Sequence, residues 1–360
     1  MTDIYAPLPR EEVIKAVERK GPCRIPMVRS RWWGEGLWEQ YGERLRELEK
    51  YPEDFGEVMI SPLNPHEMGL SWSARAGAGH DSNAVIPDWK HLDEFIAKLP
   101  DPENPALGLY GIEHVEENRR RNMYMLFGWW GLFFERPWSL RGMEGLMTDY
   151  YLHGDEVHRL HDALCTLYEG YIRRAIRTFK PDGFWTSDDL GNQRQLMMKP
   201  DHFREFLKPY YSRIGKLCRD NGMHFWLHSC GNNTEIMDDL IAAGVSVFHP
   251  VQKHTMDEAA VARRFGDRMT FLVGFDVQHI LQEGTPDDVR AEVRHLIDTF
   301  DAPGGGMCMA AGNGIVRGTP FENIEAYLDE SIRYGTAHRS RFTAEIAEDA
   351  EGGSENGMME

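Results

Sequence analysis

One pattern constrains this chain more than any other: a short apolar run, a loop and a helical stretch recur along most of its length. The runs occupy residues 24–29, 57–61, 123–127, 183–187, 223–227, 245–249, 269–273 and 307–311. Each is rich in Val, Ile, Phe, Met or Trp, and most end in Gly, Pro, Asn, Ser or Asp, as strands do where they pass into loops. Amphipathic stretches at 200–221, 234–243, 256–265, 285–300 and 319–334 separate the later runs. Near-continuous apolar strands alternating with helices describe parallel strands covered on both faces. Eight of them predict an α/β fold, a single closed (β/α)8 TIM barrel rather than an open sheet.

The 360 residues suit one such barrel with extensions. Residues 10–20 read as an N-terminal helix leading into the first strand, and 72–121, loop-rich with Gly and Pro, as a long early insertion. One domain is expected over 1–344, and the acidic, glycine-rich composition of 345–360 predicts a disordered tail. No signal-peptide pattern opens the sequence and no apolar stretch is long enough to span a bilayer, so a cytoplasmic chain without a membrane partner is expected. The net charge of −18 would repel a phosphate backbone, which argues against nucleic acid as a partner. The five cysteines, Cys23, Cys165, Cys218, Cys230 and Cys308, are odd in number and scattered, unlike a disulfide framework. Cys165 and Cys218 fall inside helical patterns and, with Cys23, read as structural.

Barrel enzymes place their chemistry where strands end and the following loops begin. Those ends offer Arg29 and Arg31; Asn64 and His66; Trp129 and Trp130; Asp188 and Asp189; His228 and Cys230; His249 and Gln252; Asp276; and Cys308 and Asn313. His228-Ser229-Cys230 closes the fifth strand, where alternate residues share a side, so an imidazole and a thiolate can face one ion. Cys308 lies in the eighth strand. One nitrogen and two sulfurs suit zinc and leave a coordination position free, the catalytic arrangement. Spacing alone also fits ordinary core packing, and both readings stand at this point. Asp188 and Asp189 are the candidate catalytic acids, with loop capping as their structural alternative. Trp33 and Trp129, among several tryptophans near strand ends, are candidates for an aromatic substrate wall, with Gln252, Asp276 and Asn313 as polar contacts.

Several of these segments carry a family likeness. DDLGNQ at 188–193, MKPDHFREFLKPYY at 198–211, HSCG at 228–231, GFDVQHIL at 274–281, GTPDDVRAEV at 284–293 and AGNGIVRGTPFEN at 311–323 resemble the uroporphyrinogen decarboxylase superfamily. PLPREEVIKAVERKGPCRIP at 7–26 is similar to its opening helix and first strand. The superfamily contains the haem-pathway decarboxylase and zinc-dependent corrinoid methyltransferases, and its fold is a TIM barrel. In the methyltransferase branch an H-x-C motif and a distant cysteine bind zinc, and the resemblance assigns those roles to His228, Cys230 and Cys308. The decarboxylase branch instead needs an RQAGRY-type loop and a GHGI-type motif. Here Arg29-Ser30-Arg31-Trp32-Trp33-Gly34 and Gly312-Asn313-Gly314-Ile315 stand in those places. The resemblance therefore implies a zinc methyltransferase acting between a small methylated substrate (an O-demethylase on a methoxy compound, for example) or a thiol and a corrinoid. With no DxHxxG cobalamin signature in this chain, the corrinoid protein is expected to be a separate partner. A uroporphyrinogen-type decarboxylase is the alternative. The carboxylate that related methyltransferases place after the sixth strand is missing from His249–His254, where Gln252 is the candidate substitute.

Overall fold

The computed structural model describes residues 3–63, 84–104 and 108–355. Seven strands form one sheet: β1 (Phe55–Met59), β2 (Tyr124–Trp129), β3 (Gly183–Ser187), β4 (His224–His228), β5 (Val247–His249), β6 (Thr270–Phe275) and β7 (Met307–Ala311). They lie side by side in chain order, every neighbouring pair parallel. Five of them, β2, β3, β5, β6 and β7, are buried along their whole length. That is the burial expected of parallel strands with helices outside and a filled interior. All seven fall on runs read from the sequence, with ends shifted by a few residues.

The remaining run, the first at 24–29, behaves differently. Between β7 and β1 the chain at 26–28 makes a single parallel bridge, Met27 to Met309, instead of a ladder. Val28 N–H donates to the Met309 carbonyl (2.9 Å), Met309 N–H to the Pro26 carbonyl (2.8 Å), and Asp54 N–H to the Met27 carbonyl (3.2 Å). Two features explain why no regular strand forms. Pro26 has no N–H to give, and the Met27 N–H is taken by the Asp54 carboxylate at 2.8 Å. The expected closed eight-stranded barrel is thus a curled seven-stranded parallel sheet whose edges are joined through an irregular segment.

The helices follow from local sequence. Gly154–Phe179 buries Val157, Leu160, Leu164, Tyr168, Tyr171, Ala175 and Phe179, the three-and-four spacing of one helix face. Pro286–Phe300 starts with a capping box between Thr285 and Asp288, with proline in the first turn. In the insertion, Trp89 is held by the Arg141 guanidinium stacked at 4.4 Å and by Asp149, which accepts its indole N–H at 3.0 Å. The last helix, Phe321–Glu355, continues through most of the stretch whose composition predicted disorder. Asn64 and His66 lie outside the described residues. Among the described residues no helix is long and apolar enough to cross a membrane.

Candidate metal centre

The mouth of the sheet is built by register. His228 ends β4, opposite Ser187 on β3 and His249 on β5. Two residues on, Cys230 turns back beside it, with Sγ 3.5 Å from His228 Nε2. Asp189, just past β3, accepts the Cys230 N–H at 2.8 Å and places Oδ1 3.7 Å from His228 Nε2. Ligand atoms of Asp189, His228 and Cys230 all lie within 4.8 Å of one another, the one such group among the described residues.

The loops that carry them touch backbone to backbone. Gly231 has φ +83°, and a Cβ there would stand 2.3 Å from Gly191 C. Asn232 N–H donates to the Asn192 carbonyl at 2.8 Å. Only glycine accommodates this approach together with a left-handed backbone.

On the other side of His228, its Nδ1 lies 2.7 Å from His249 Nδ1, and His249 Nε2 lies 3.0 Å from the Ala311 carbonyl. Trp32 covers both imidazoles, at 5.1 Å from His228 and 4.7 Å from His249. Trp130, half exposed at 49%, meets Trp185 edge-on at 4.5 Å and His228 at 5.8 Å. Arg31 lies over Trp185, pairs with Glu57, and leaves both terminal nitrogens without a hydrogen-bond partner.

The electrostatics favour a cation. Burial pushes the Cys230 thiol up to about 12, and the negative charges of Asp189 and Glu135 add to the effect. Burial likewise lowers His228 to about 4, against the opposing pull of Asp189. Glu135, hydrogen-bonded to Ser187, is raised to about 8 by burial and by Asp188 and Asp189. Carboxylates converging on a buried thiol and a neutral imidazole form a site that a divalent ion would compensate. The spacing fits one as well. Tetrahedral zinc with nitrogen and oxygen at about 2.1 Å and sulfur at about 2.3 Å puts its ligand atoms roughly 3.4–3.6 Å apart.

Several sequence expectations change. Cys308 is not in this group: it is fully buried within β7, opposite Leu272, where its charged neighbours are Asp54 and Asp301. It sits three residues before the strand end, away from the mouth, and Asp189 takes the third place. Asp188 does not face the site. Its carboxylate accepts the N–H groups of Phe133, Phe134 and Glu135 and the Tyr211 hydroxyl, all within 2.7–2.9 Å, and it is fully buried. With both oxygens engaged, it anchors a helix start instead of exchanging protons. Trp129 points outward into Tyr168, Tyr171 and Phe184, and its neighbour Trp130 occupies the mouth. Gln252 Oε1 accepts the Gly231 N–H at 2.8 Å, so that oxygen orients the cysteine loop.

Other expected contacts are brought together. Gln252, Asp276 and Asn313 line one cavity of about 350 Å³ with Lys253, Gln278 and Gln282. Asn313 connects it to the centre, its Nδ2 donating to Cys230 Sγ at 3.7 Å. The Asp276 carboxylate also accepts backbone N–H groups from Gln278, His279 and Ile280, capping the helix that follows. Trp33 is partly buried and bridges Ile315 through its backbone. His249, Arg31 and Glu135 were not assigned a role from sequence. The HFWLH and VFH runs, set side by side, carry the signal for His249, because equal distances from the strand ends put the two histidines level.

Comparison with known proteins agrees with this architecture. A 138-residue stretch is 30% identical to the methylcobamide:CoM methyltransferase MtaA of Methanosarcina barkeri, covering 38% of this chain and 38% of that protein. A second relative, a methylated-thiol–coenzyme M methyltransferase of Methanosarcina mazei, is 26% identical over 37% of this chain and 33% of its own length. The match therefore spans well under half of either methyltransferase. A uroporphyrinogen decarboxylase of Methylibium petroleiphilum is 23% identical over 82% of this chain and 81% of its own. Among solved structures, a methyltransferase from Methanosarcina mazei shares the fold at TM-score 0.59 and 17% identity, covering 90% of this chain and 98% of that one. The family model described as uroporphyrinogen decarboxylase (URO-D) matches residues 136–334, more than half of the chain and the part that holds Asp189, His228 and Cys230. The chain belongs to the uroporphyrinogen decarboxylase (URO-D) family.

Proposed function

We propose that this chain is a zinc-dependent methyltransferase that moves a methyl group between a small methylated substrate or thiol and a corrinoid carried by a separate protein. The observation that carries this reading is the convergence of Asp189, His228 and Cys230 within 4.8 Å at the mouth of the strands. Three protein ligands leave one position for a reactant, and one thiolate with one carboxylate balance the charge of the ion. Bound there, zinc would supply a Lewis acid that activates a thiol or polarises an ether oxygen as methyl is transferred.

The chain's own residues do the rest. Asp189, His228 and Cys230 would hold the ion, and the Asn313 amide N–H steadies the sulfur. The cavity of Gln252, Asp276 and Asn313 receives the small reactant, and Trp130 and Trp32 form an aromatic wall beside His228. Glu135, which burial and the neighbouring Asp188 and Asp189 push above the usual carboxylate range, is the acid we assign to protonate a departing oxygen. Asp188, engaged by backbone donors, has no such freedom.

The test is direct. Purified wild type should carry about one zinc per chain by elemental analysis. Asp189→Asn, His228→Ala and Cys230→Ser should each lose it, while Cys308→Ala keeps it. In an anaerobic assay, methylcobalamin with thiols, or reduced cobalamin with methoxy compounds, should show zinc-dependent conversion in the cobalt spectrum. Full zinc retention in all three ligand variants, or activity indifferent to the metal, would refute the proposal. The decarboxylase alternative has the longer alignment in its favour. It is tested by incubation with uroporphyrinogen, where formation of coproporphyrinogen would replace the methyltransferase reading.

A further inference from the structure

The contacts behind His228 constrain where its proton sits. The Ala311 carbonyl can only accept, so His249 Nε2 carries a hydrogen across the 3.0 Å contact. The 2.7 Å separation of the two Nδ1 atoms is a hydrogen bond and holds one hydrogen, not two and not none. Were that hydrogen on His249, its ring would bear N–H on both nitrogens and be a cation. That ring is 1% exposed, stacked under Trp32 and repelled by the Arg31 charge, with no carboxylate among its hydrogen-bond partners. The hydrogen therefore belongs to His228 Nδ1. A neutral His228 then has its lone pair on Nε2, the nitrogen that faces Cys230 Sγ and Asp189 Oδ1.

We propose that His249 is the positioning residue of this centre: the chain Ala311 carbonyl, His249, His228 fixes the His228 tautomer and ring angle so that Nε2 is presented as a metal ligand. The proposal rests on the metal reading of the preceding section and adds a residue to it. Ligating histidines in general donate their second N–H to a carboxylate, a carbonyl or water. Here a second imidazole relays the carbonyl's demand across the gap between β4 and β7, and no charge is added.

The tautomer can be read without metal or activity. In the full-length, metal-free protein labelled with 15N-histidine, two-bond nitrogen–proton correlation at pH 7 should show His228 with a protonated Nδ1 and an unprotonated Nε2. His249→Phe, which keeps the ring but has no acceptor, should weaken Co(II) binding by about 10–100-fold, the loss common for outer-sphere partners. His249→Gln, whose amide can accept from His228 and donate to Ala311, should recover most of it. Circular dichroism of each variant checks that it folds, and the wild-type spectrum decides if one does not. The proposal is overturned by wild-type His228 protonated at Nε2, by His249→Phe binding Co(II) as tightly as wild type, or by equal losses in both variants. Wild type with the expected tautomer that takes up neither zinc nor Co(II) would support the relay while sinking the metal reading.

Discussion

Asp188 and Asp189 are neighbours of the same type, and the backbone at the end of β3 sends them to opposite tasks. Successive side chains of an extended segment alternate in direction, so one reaches the mouth and the other the helix layer. The doublet marked the place in the sequence, but composition could not say which carboxylate faced which way. Asp188 is read from its partners, three backbone N–H groups and a tyrosine hydroxyl. Replacing it by Ala strands several buried donors at about 1–3 kcal/mol each. Asp188→Ala is expected to lose at least about 3 kcal/mol and to unfold several degrees lower in a thermal melt; a melt unchanged from wild type would refute the anchoring role. Cys308 teaches the converse lesson. A cysteine in a strand can be ligand or core, and only its depth along β7 decides. Cys308→Ala should cost about 1–2 kcal/mol, as removal of a small buried group does, with zinc content unchanged.

At the scale of elements, the strands were legible because burial on both faces leaves them almost wholly apolar, a signal that needs no knowledge of neighbours. Seven of the runs became strands. The first did not, because its ladder partner is displaced by a side chain, and nothing in the local sequence announces that Asp54 will take the Met27 N–H. The same limit applies to Trp129 and Trp130, where a one-residue difference in strand end exchanges core for mouth. The loops after β3 and β4 depend on a contact between two glycines distant in sequence. Gly231→Ala adds a Cβ that would lie 2.3 Å from Gly191 C on a backbone at φ +83°. The expected result is a loss of about 2 kcal/mol or more, together with much weaker zinc binding, because Asp189 and Cys230 are pushed apart. Calorimetric titration with zinc alongside a thermal melt checks both; unchanged zinc affinity would show that the loops do not need this approach.

For the molecule as a whole, adjacent carboxylates stitch the N-terminal segment to β1. Asp54 binds Arg24 and the N–H groups of Leu8 and Met27, and Glu53 accepts from the N–H groups of Arg29 and Ser30 and from the Ser30 hydroxyl. Burial raises Glu53 from 4.5 to about 7, outweighing those hydrogen bonds. Between these values the folded chain holds more protons than the unfolded one, so this group's contribution is present at low pH and is lost as pH rises toward 7. Thermal melts from about pH 4.5 to pH 7.5 should show the Glu53→Gln variant losing less stability than wild type over that window. Parallel curves would remove Glu53 as the cause.

The irregular joint at 26–28 also bears on how the chain is made. Met309 is translated after Met27 and after the six strands that lie between them, so a nascent chain carries the first half of the joint through the synthesis of β1 to β6 before its partner exists. Until then two sheet edges stand open, β1 on one side and each newly added strand on the other, a form prone to pairing with other chains. Asp54 follows soon after Met27 and can hold the early segment against β1 through side-chain bonds while the rest is translated. The joint that closes last is a single bridge, where each neighbouring pair of strands shares two or more paired residues, and in the finished protein breathing of the sheet would start there.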